Sequence, residues 1–338
     1  MRDISCARPR VCSAVGYYSA GGTYRTLAEE WNGSTWTVVP SANTSTTQNN
    51  FLVSVSCTSP SACTAVGYQL VGATDQTLIE SWNGSAWTVV PSPDTSTTQQ
   101  NALSGVSCSG PRACSAVGEY AASGLYRTLA EEWDGSAWTI VPSANTSSTE
   151  HNQLFDVSCG RPRSCTAVGY TTSTGFANRA LIETWDGSTW TVVPGANTST
   201  TQSIQLFGVS CRGRRTCIAV GDTSGGTSIQ TLVESWNGSL WSIAPSPGVP
   251  AQDNFFLSAS CITSTACTAV GYHGGPGARQ TLIETWDGST WAVVASPDPG
   301  SYSTLGGVSC RGRNHPLCFA VGTYRNGSPL QTLAETND

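Results

Sequence analysis

The fold class predicted by this sequence is all-β: a seven-bladed β-propeller of four-stranded antiparallel blades, the last of three or four strands. Three observations carry that expectation. Cys6, Cys57, Cys108, Cys159, Cys211, Cys261 and Cys310 stand 51, 51, 51, 52, 50 and 49 residues apart, so the chain repeats itself. Each of the first six repeats holds four short apolar segments separated by turn signals, the last holds three, and none sustains a helical period. A second cysteine follows the first at a nearly fixed distance in every repeat. The reading is one propeller domain over 1–338, with blades starting near residues 1, 52, 103, 154, 206, 256 and 305.

The second repeat shows the elements in order. Leu52-Val53-Ser54-Val55-Ser56-Cys57 reads as a strand, and Thr58-Ser59-Pro60-Ser61-Ala62 as a five-residue turn. Cys63-Thr64-Ala65-Val66-Gly67-Tyr68 returns as a second strand. A Gly-containing loop leads to Thr77-Leu78-Ile79-Glu80-Ser81-Trp82. Asn83-Gly84 is a strong hairpin signal, because both residues tolerate positive φ. Trp87-Thr88-Val89-Val90 is the fourth strand. Pro91 ends it, since proline has no N–H for the ladder.

This pattern resembles the kelch family. Its blade also has an apolar second strand ending in glycine, an aromatic-Asp/Asn turn and a tryptophan opening the fourth strand; here these are Ala65-Val66-Gly67, Trp82-Asn83 and Trp87. The second glycine of the kelch doublet is replaced by Tyr17, Tyr68, Glu119, Tyr170, Asp222, Tyr272 and Thr323 in the seven blades. The resemblance implies blade geometry and leaves function open, because one fold hosts many functions.

The ring has a seam. The chain starts in a first strand and ends at Leu333-Ala334-Glu335-Thr336-Asn337-Asp338, in a third strand. Either blade seven has three strands or the native protein continues. The first residues fall directly into a repeat without a secretion signal, as expected of a mature domain or an excised fragment.

Charge and cysteine content narrow the setting. All sixteen basic residues are Arg, the net charge is −6 and the pI is near 5.1, which gives no global reason to expect nucleic-acid binding. No apolar run is long enough to insert in a membrane, and a monomer is expected. Fourteen cysteines point to an oxidising compartment, hence a secreted or cell-surface protein. The expected disulfides are Cys6–Cys12, Cys57–Cys63, Cys108–Cys114, Cys159–Cys165, Cys211–Cys217, Cys261–Cys267 and Cys310–Cys318. Zinc is disfavoured by the absence of Cys-x2-Cys and the presence of only three histidines, His151, His273 and His315. No cofactor is expected.

Repeated residues are weighed against structural uses. Glu29, Glu80, Glu131, Glu183, Glu234, Glu284 and Glu335 recur in the third strand. Seven equivalent acids offer no acid–base contrast, so they read as structural carboxylates between blades. Six tryptophan pairs, Trp31/Trp36 to Trp286/Trp291, read as clamps across a hairpin. No catalytic constellation stands out. For a propeller glycoside hydrolase or lyase, only Asp222, Asp253 and His273 offer themselves.

Two arginine sets suggest binding. Arg8, Arg10, Arg112, Arg161, Arg163, Arg212, Arg214, Arg215, Arg311 and Arg313 lie between the paired cysteines, and so form a basic ring on one face that could hold an anionic polymer. The alternative is a set of solvated turn residues. The opposite face carries Thr-rich linkers and variable loops with Tyr24, Arg25, Tyr126, Arg127, Phe176, Arg179 and Arg279, aromatic–Arg combinations suited to a sugar. Blades six and seven depart most in their linkers, which places any special site near them. The functional expectation is a multivalent, lectin-like propeller recognising carbohydrate or a cell-wall polymer. The alternatives are a protein-interaction scaffold and the hydrolase or lyase.

Overall fold

The computed structural model describes residues 1–173, 175–196, 201–275, 277–312, 316–327 and 329–337. Among them, seven antiparallel sheets follow one another, six of four strands in chain order and the last of three. First strands of successive blades pack side by side. Asp3–Arg8 of blade one also packs on Tyr302–Arg311 of blade seven, which closes the ring around an axial channel.

In blade two the strands are Asn50–Ser59, Ala62–Val71, Thr74–Trp82 and Trp87–Val90, longer than the apolar pattern suggests. A register shift between Cys57 and Ser59 lets the first ladder continue, so the expected five-residue turn shrinks to Pro60-Ser61. The expected open loop after the second strand is likewise a tight hairpin, with Val71 facing Thr74. A second bulge leaves Val53 as an extra residue between the pairs Leu52–Gly67 and Ser54–Val66. There the backbone of strand one presses on strand two: a Cβ at Gly67 would lie 2.0 Å from the Phe51 carbonyl oxygen. That close approach explains the glycine of the Ala-Val-Gly motif. At the outer hairpin, Asn83 Oδ1 accepts the amides of Ser85 and Ala86 at 2.9 and 3.0 Å, and Gly84 has φ 95°.

The core lies between blades. Val15 and Ala28 of blade one pack with Leu52, Val55, Leu78 and Trp87 of blade two. The six Trp pairs face each other across the outer hairpin at 5.6–5.8 Å between ring centroids. In blade two the first ring, Trp82, donates its Nε1–H to the Pro60 carbonyl at 3.2 Å, and Trp87 is buried. All seven expected disulfides are present. Cys57 and Cys63 are directly paired residues inside that core.

A serine belt joins the blades. The serine before each first cysteine accepts the backbone amide of the next blade's first cysteine. Ser5, Ser56, Ser107, Ser158, Ser210 and Ser260 serve Cys57, Cys108, Cys159, Cys211, Cys261 and Cys310 at 2.9–3.0 Å. Ser309 serves Cys6 and completes the circle.

Blade seven ends with its three strands Tyr302–Arg311, Leu317–Arg325 and Gln331–Thr336. Asn337 stands where other blades have the first Trp, and donates to the Pro316 carbonyl at 3.3 Å as Trp82 does to Pro60. Phe319 packs on Trp31 and Trp36 of blade one at 5.8 and 6.5 Å, filling the seam.

Candidate functional site

The blades differ most at one end of the ring, on the face of the linkers and the loops between second and third strands. Most of that face is structural. Asn50 is fully buried, accepts the Thr44 amide and hydroxyl at 3.2 and 2.7 Å, and donates to the Gln48 carbonyl at 2.9 Å. Asn101 and Asn152 repeat the arrangement. The Thr-rich linkers are therefore built to wrap a buried amide.

The third-strand glutamates do the same between blades. Glu80 accepts the Ser41 hydroxyl and Ala42 amide of the preceding linker at 2.7 and 3.0 Å; Glu183 does so from Ser143 and Ala144 at 2.7 and 3.1 Å. Only one oxygen of each is served, and burial raises their pKa values to about 7, and that of Glu131 to about 8.

In blades five to seven the pattern breaks. The linker Gly248-Val249-Pro250-Ala251-Gln252 still wraps a buried asparagine, Asn254, through the Val249 amide at 2.7 Å. Gln252, however, turns its Oε1 to His273 Nδ1 at 2.8 Å, and burial lowers the His273 pKa. Beside it opens a depression of about 700 Å³ lined by Gln252, Asp253, Gln280 and Ser301 together with glycine backbone. Asp253 is anchored by the Ile229 amide at 2.8 Å.

The chain neighbours of Gln280 and Ser301 form an aromatic–cationic stack. The Arg279 guanidinium lies 4.3 Å from the Tyr272 ring centroid and 5.3 Å from that of Tyr302, and donates to the Tyr302 hydroxyl at 3.0 Å. Tyr272 in turn stacks on Phe255 at 4.6 Å. Asp222 occupies the same strand position one blade earlier. Asp222 is only 7% exposed, and its carboxyl, with no hydrogen-bond partner among the described residues, is pushed up to about 7 by burial. Asp222, Asp253 and Arg279 all bear electrostatically on Tyr272, which brings four of these residues into one neighbourhood.

The remaining loop residues disperse. Tyr24 packs on Tyr17 and Phe51 at 5.6 and 5.3 Å, and Tyr126 on His151 at 5.6 Å. Arg25 has its Nε buried without a partner. Arg127 donates to the Ser147 and Ser148 carbonyls, Arg179 pairs with Glu150, and Phe176 is 75% exposed. Arg127 and Arg179 are thus engaged by the linker of their own region.

The arginines between the cysteines are spread over several places. The side chains of Arg10, Arg112, Arg163 and Arg215 lie against the outer-turn glycines Gly33, Gly135, Gly187 and Gly238. Arg161, Arg212 and Arg311 line an axial depression, while Arg214 borders a groove between blades four and five. Arg8 is exposed at the first hairpin. Arg313 and His315 lie outside the described residues.

Two channel acids escaped the sequence reading. Asp3 Oδ2 accepts the Ser54 hydroxyl and Val55 amide, both at 2.9 Å, and Asp156 Oδ2 accepts the Val209 amide at 2.8 Å. Burial raises both, Asp156 to about 7. Three residues before the first cysteine the repeats read Asp3, Ser54, Gly105, Asp156, Gly208, Ser258 and Gly307, so aligning that column would have exposed them.

No family model and no curated protein matches this chain. Solved structures do resemble it. A GH74 xyloglucanase from Xanthomonas campestris is 12% identical with a TM-score of 0.61, over 98% of this chain and 53% of that one. A Dyadobacter fermentans protein of unknown function is 12% identical with a TM-score of 0.55, over 84% and 93%. Chaetomium thermophilum Sqt1, bound to the N-terminus of a ribosomal protein, is 11% identical with a TM-score of 0.54, over 95% and 82%. At such identities the likeness is one of fold: the chain is a β-propeller.

Proposed function

We propose that this protein is a secreted, carbohydrate-binding propeller whose principal site is the linker-face depression of blades five to seven. Two observations support it: an open cavity of about 700 Å³ lined by amide and hydroxyl groups, and the Arg279–tyrosine stack built by the residues next in sequence to Gln280 and Ser301 of its lining. Sugars are recognised by that mixture: hydroxyls pair with amides and carboxylates, and the C–H faces rest on aromatic rings. Secretion is supported by the seven disulfides, which persist where glutathione does not reduce them. The kelch-like blade pattern belongs to the scaffold and leaves this site free to vary. One strong site with weaker neighbours would still gain avidity on a polymer.

The test is a glycan and cell-wall polysaccharide array probed with labelled protein at low and high salt. Salt-resistant binding to a narrow set of sugars, lost in Gln252→Ala, is the expected result. Silence across the array would overturn the reading and favour a protein partner. Release of reducing ends from a bound glycan would instead favour the hydrolase, with Asp222 and Asp253 as its acids.

A further inference from the structure

The opposite end of the channel has a different chemistry. The first hairpins of blades four to seven surround a depression of about 570 Å³, into whose wall Arg161, Arg212 and Arg311 project. Ile262 and Thr263 complete that wall with glycine backbone. Two of the three guanidinium groups are fixed across blade boundaries: Arg212 Nε donates to the Cys261 carbonyl, and Arg311 Nε to the Cys6 carbonyl. A guanidinium held through Nε is restrained in the plane of its fork, and an oxyanion partner meets such a fork along its Nη edge. The channel carboxylates Asp3 and Asp156 do not line this depression and are turned to backbone amides.

We propose that this hairpin-face depression is a binding site for a multiply charged oxyanion, the phosphate or sulfate groups of an anionic polymer. Three arginines from three different blades converge there, and planar forks match tetrahedral oxyanions in bidentate fashion. Burial lowers the Arg311 pKa with no carboxylate offsetting it, the signature of a cation that an incoming anion would stabilise. The site uses three of the chain's sixteen basic residues, so it is compatible with a net charge of −6. It lies on the face opposite the linker depression, and the two sites are independent. A chain carrying sugar and charged ester groups could therefore be held from either end of the ring.

Titration calorimetry with inorganic tripolyphosphate, and separately with dextran sulfate, tests this on the intact protein. We expect 1:1 binding of tripolyphosphate that weakens with added salt. Arg161→Gln should weaken it by about tenfold, in keeping with the loss of charge-assisted hydrogen bonds. Arg161 carries no backbone clamp among the described residues, so that variant separates binding from folding; Arg311→Gln should weaken binding at least as much. Arg112→Gln, whose side chain lies on the outer turn, should leave it unchanged. Preference for one probe identifies phosphate or sulfate as the natural group. Absence of binding to both probes, or equal loss in Arg112→Gln and Arg161→Gln, would overturn the proposal.

Discussion

Ser309 Oγ accepts the Cys6 amide at 3.0 Å across 303 residues of sequence, making the last blade a neighbour of the first. The same bond joins every other pair of blades, so the ring is closed by the device that builds it. Both groups are buried. Replacing Ser309 by alanine would strand an N–H away from water, at a cost of about 1–3 kcal/mol. Ser309→Ala should therefore lower the urea midpoint. Ser210→Ala, which removes the bond to Cys261 (2.9 Å), should lower it by a similar amount. A neutral result in both would show that the belt reflects geometry without contributing stability.

Stability should rise on mild acidification. Burial lifts Glu80 and Glu183 to about 7 and Glu131 to about 8 in the folded protein, from an ordinary value of 4.5. A group with a raised folded pKa binds its proton more tightly when folded. Its contribution is therefore complete below pH 4.5 and is lost as pH climbs through 7 to 8. Asp156 and Asp222, also near 7, act in the same direction. The exposed turn acids Asp134, Asp186 and Asp287 are lowered by hydrogen bonds from their own loops, and act the other way only at strongly acid pH. Thermal melts should give a higher Tm at pH 5 than at pH 8. Glu80→Gln, a neutral isostere that still accepts through its Oε1, should flatten that slope.

Reduction should weaken the fold without altering its topology. Each disulfide closes a loop of a few residues, worth about 2 kcal/mol in the chain-entropy treatment. The bridges lie inside the inter-blade clusters, with Cys6, Cys12, Cys57 and Cys63 all buried. Mass spectrometry of the native protein under alkylation should find all fourteen cysteines blocked, since none is free. After denaturation and reduction all fourteen should alkylate, and the reduced protein should melt at lower temperature.

Repeat symmetry explains what could be read from the chain and what could not. The spacing of Cys6 to Cys310, the Trp pairs and the Ala-Val-Gly segments are imposed seven or six times, so each reinforces the same blade. Strand ends were hidden, because Gly72 and the Cys57–Ser59 bulge extend ladders in ways no apolar alternation records. The candidate site was half legible. Blades six and seven stood out by their linkers, and Asp222, Asp253 and His273 by being unmatched. Tyr302 and Gln252 lay in those linkers but were not singled out: Gln252 repeats Gln48 and Gln99 two residues before the buried asparagine, and only the ring brings Gln252 beside His273 and Tyr302 beside Arg279. The channel acids Asp3 and Asp156 were lost among Ser and Gly at equivalent positions.

Binding at the linker face should depend on Tyr302 and Arg279 in distinguishable ways. Arg279 is held between the rings of Tyr272 and Tyr302, so Tyr302→Phe keeps the ring and removes only the hydroxyl that anchors the guanidinium. Tyr302→Ala removes both. If a sugar rests on the ring, affinity should fall by about tenfold in Tyr302→Ala, the scale of an aromatic stacking contact. It should fall much less in Tyr302→Phe. Equal losses in the two variants would instead assign the contact to the hydroxyl–guanidinium pair, and the bound group would then be an acceptor such as a carboxylate. Isothermal titration with the best array ligand, compared across both variants and Arg279→Gln, distinguishes these outcomes because only Arg279→Gln removes the charge.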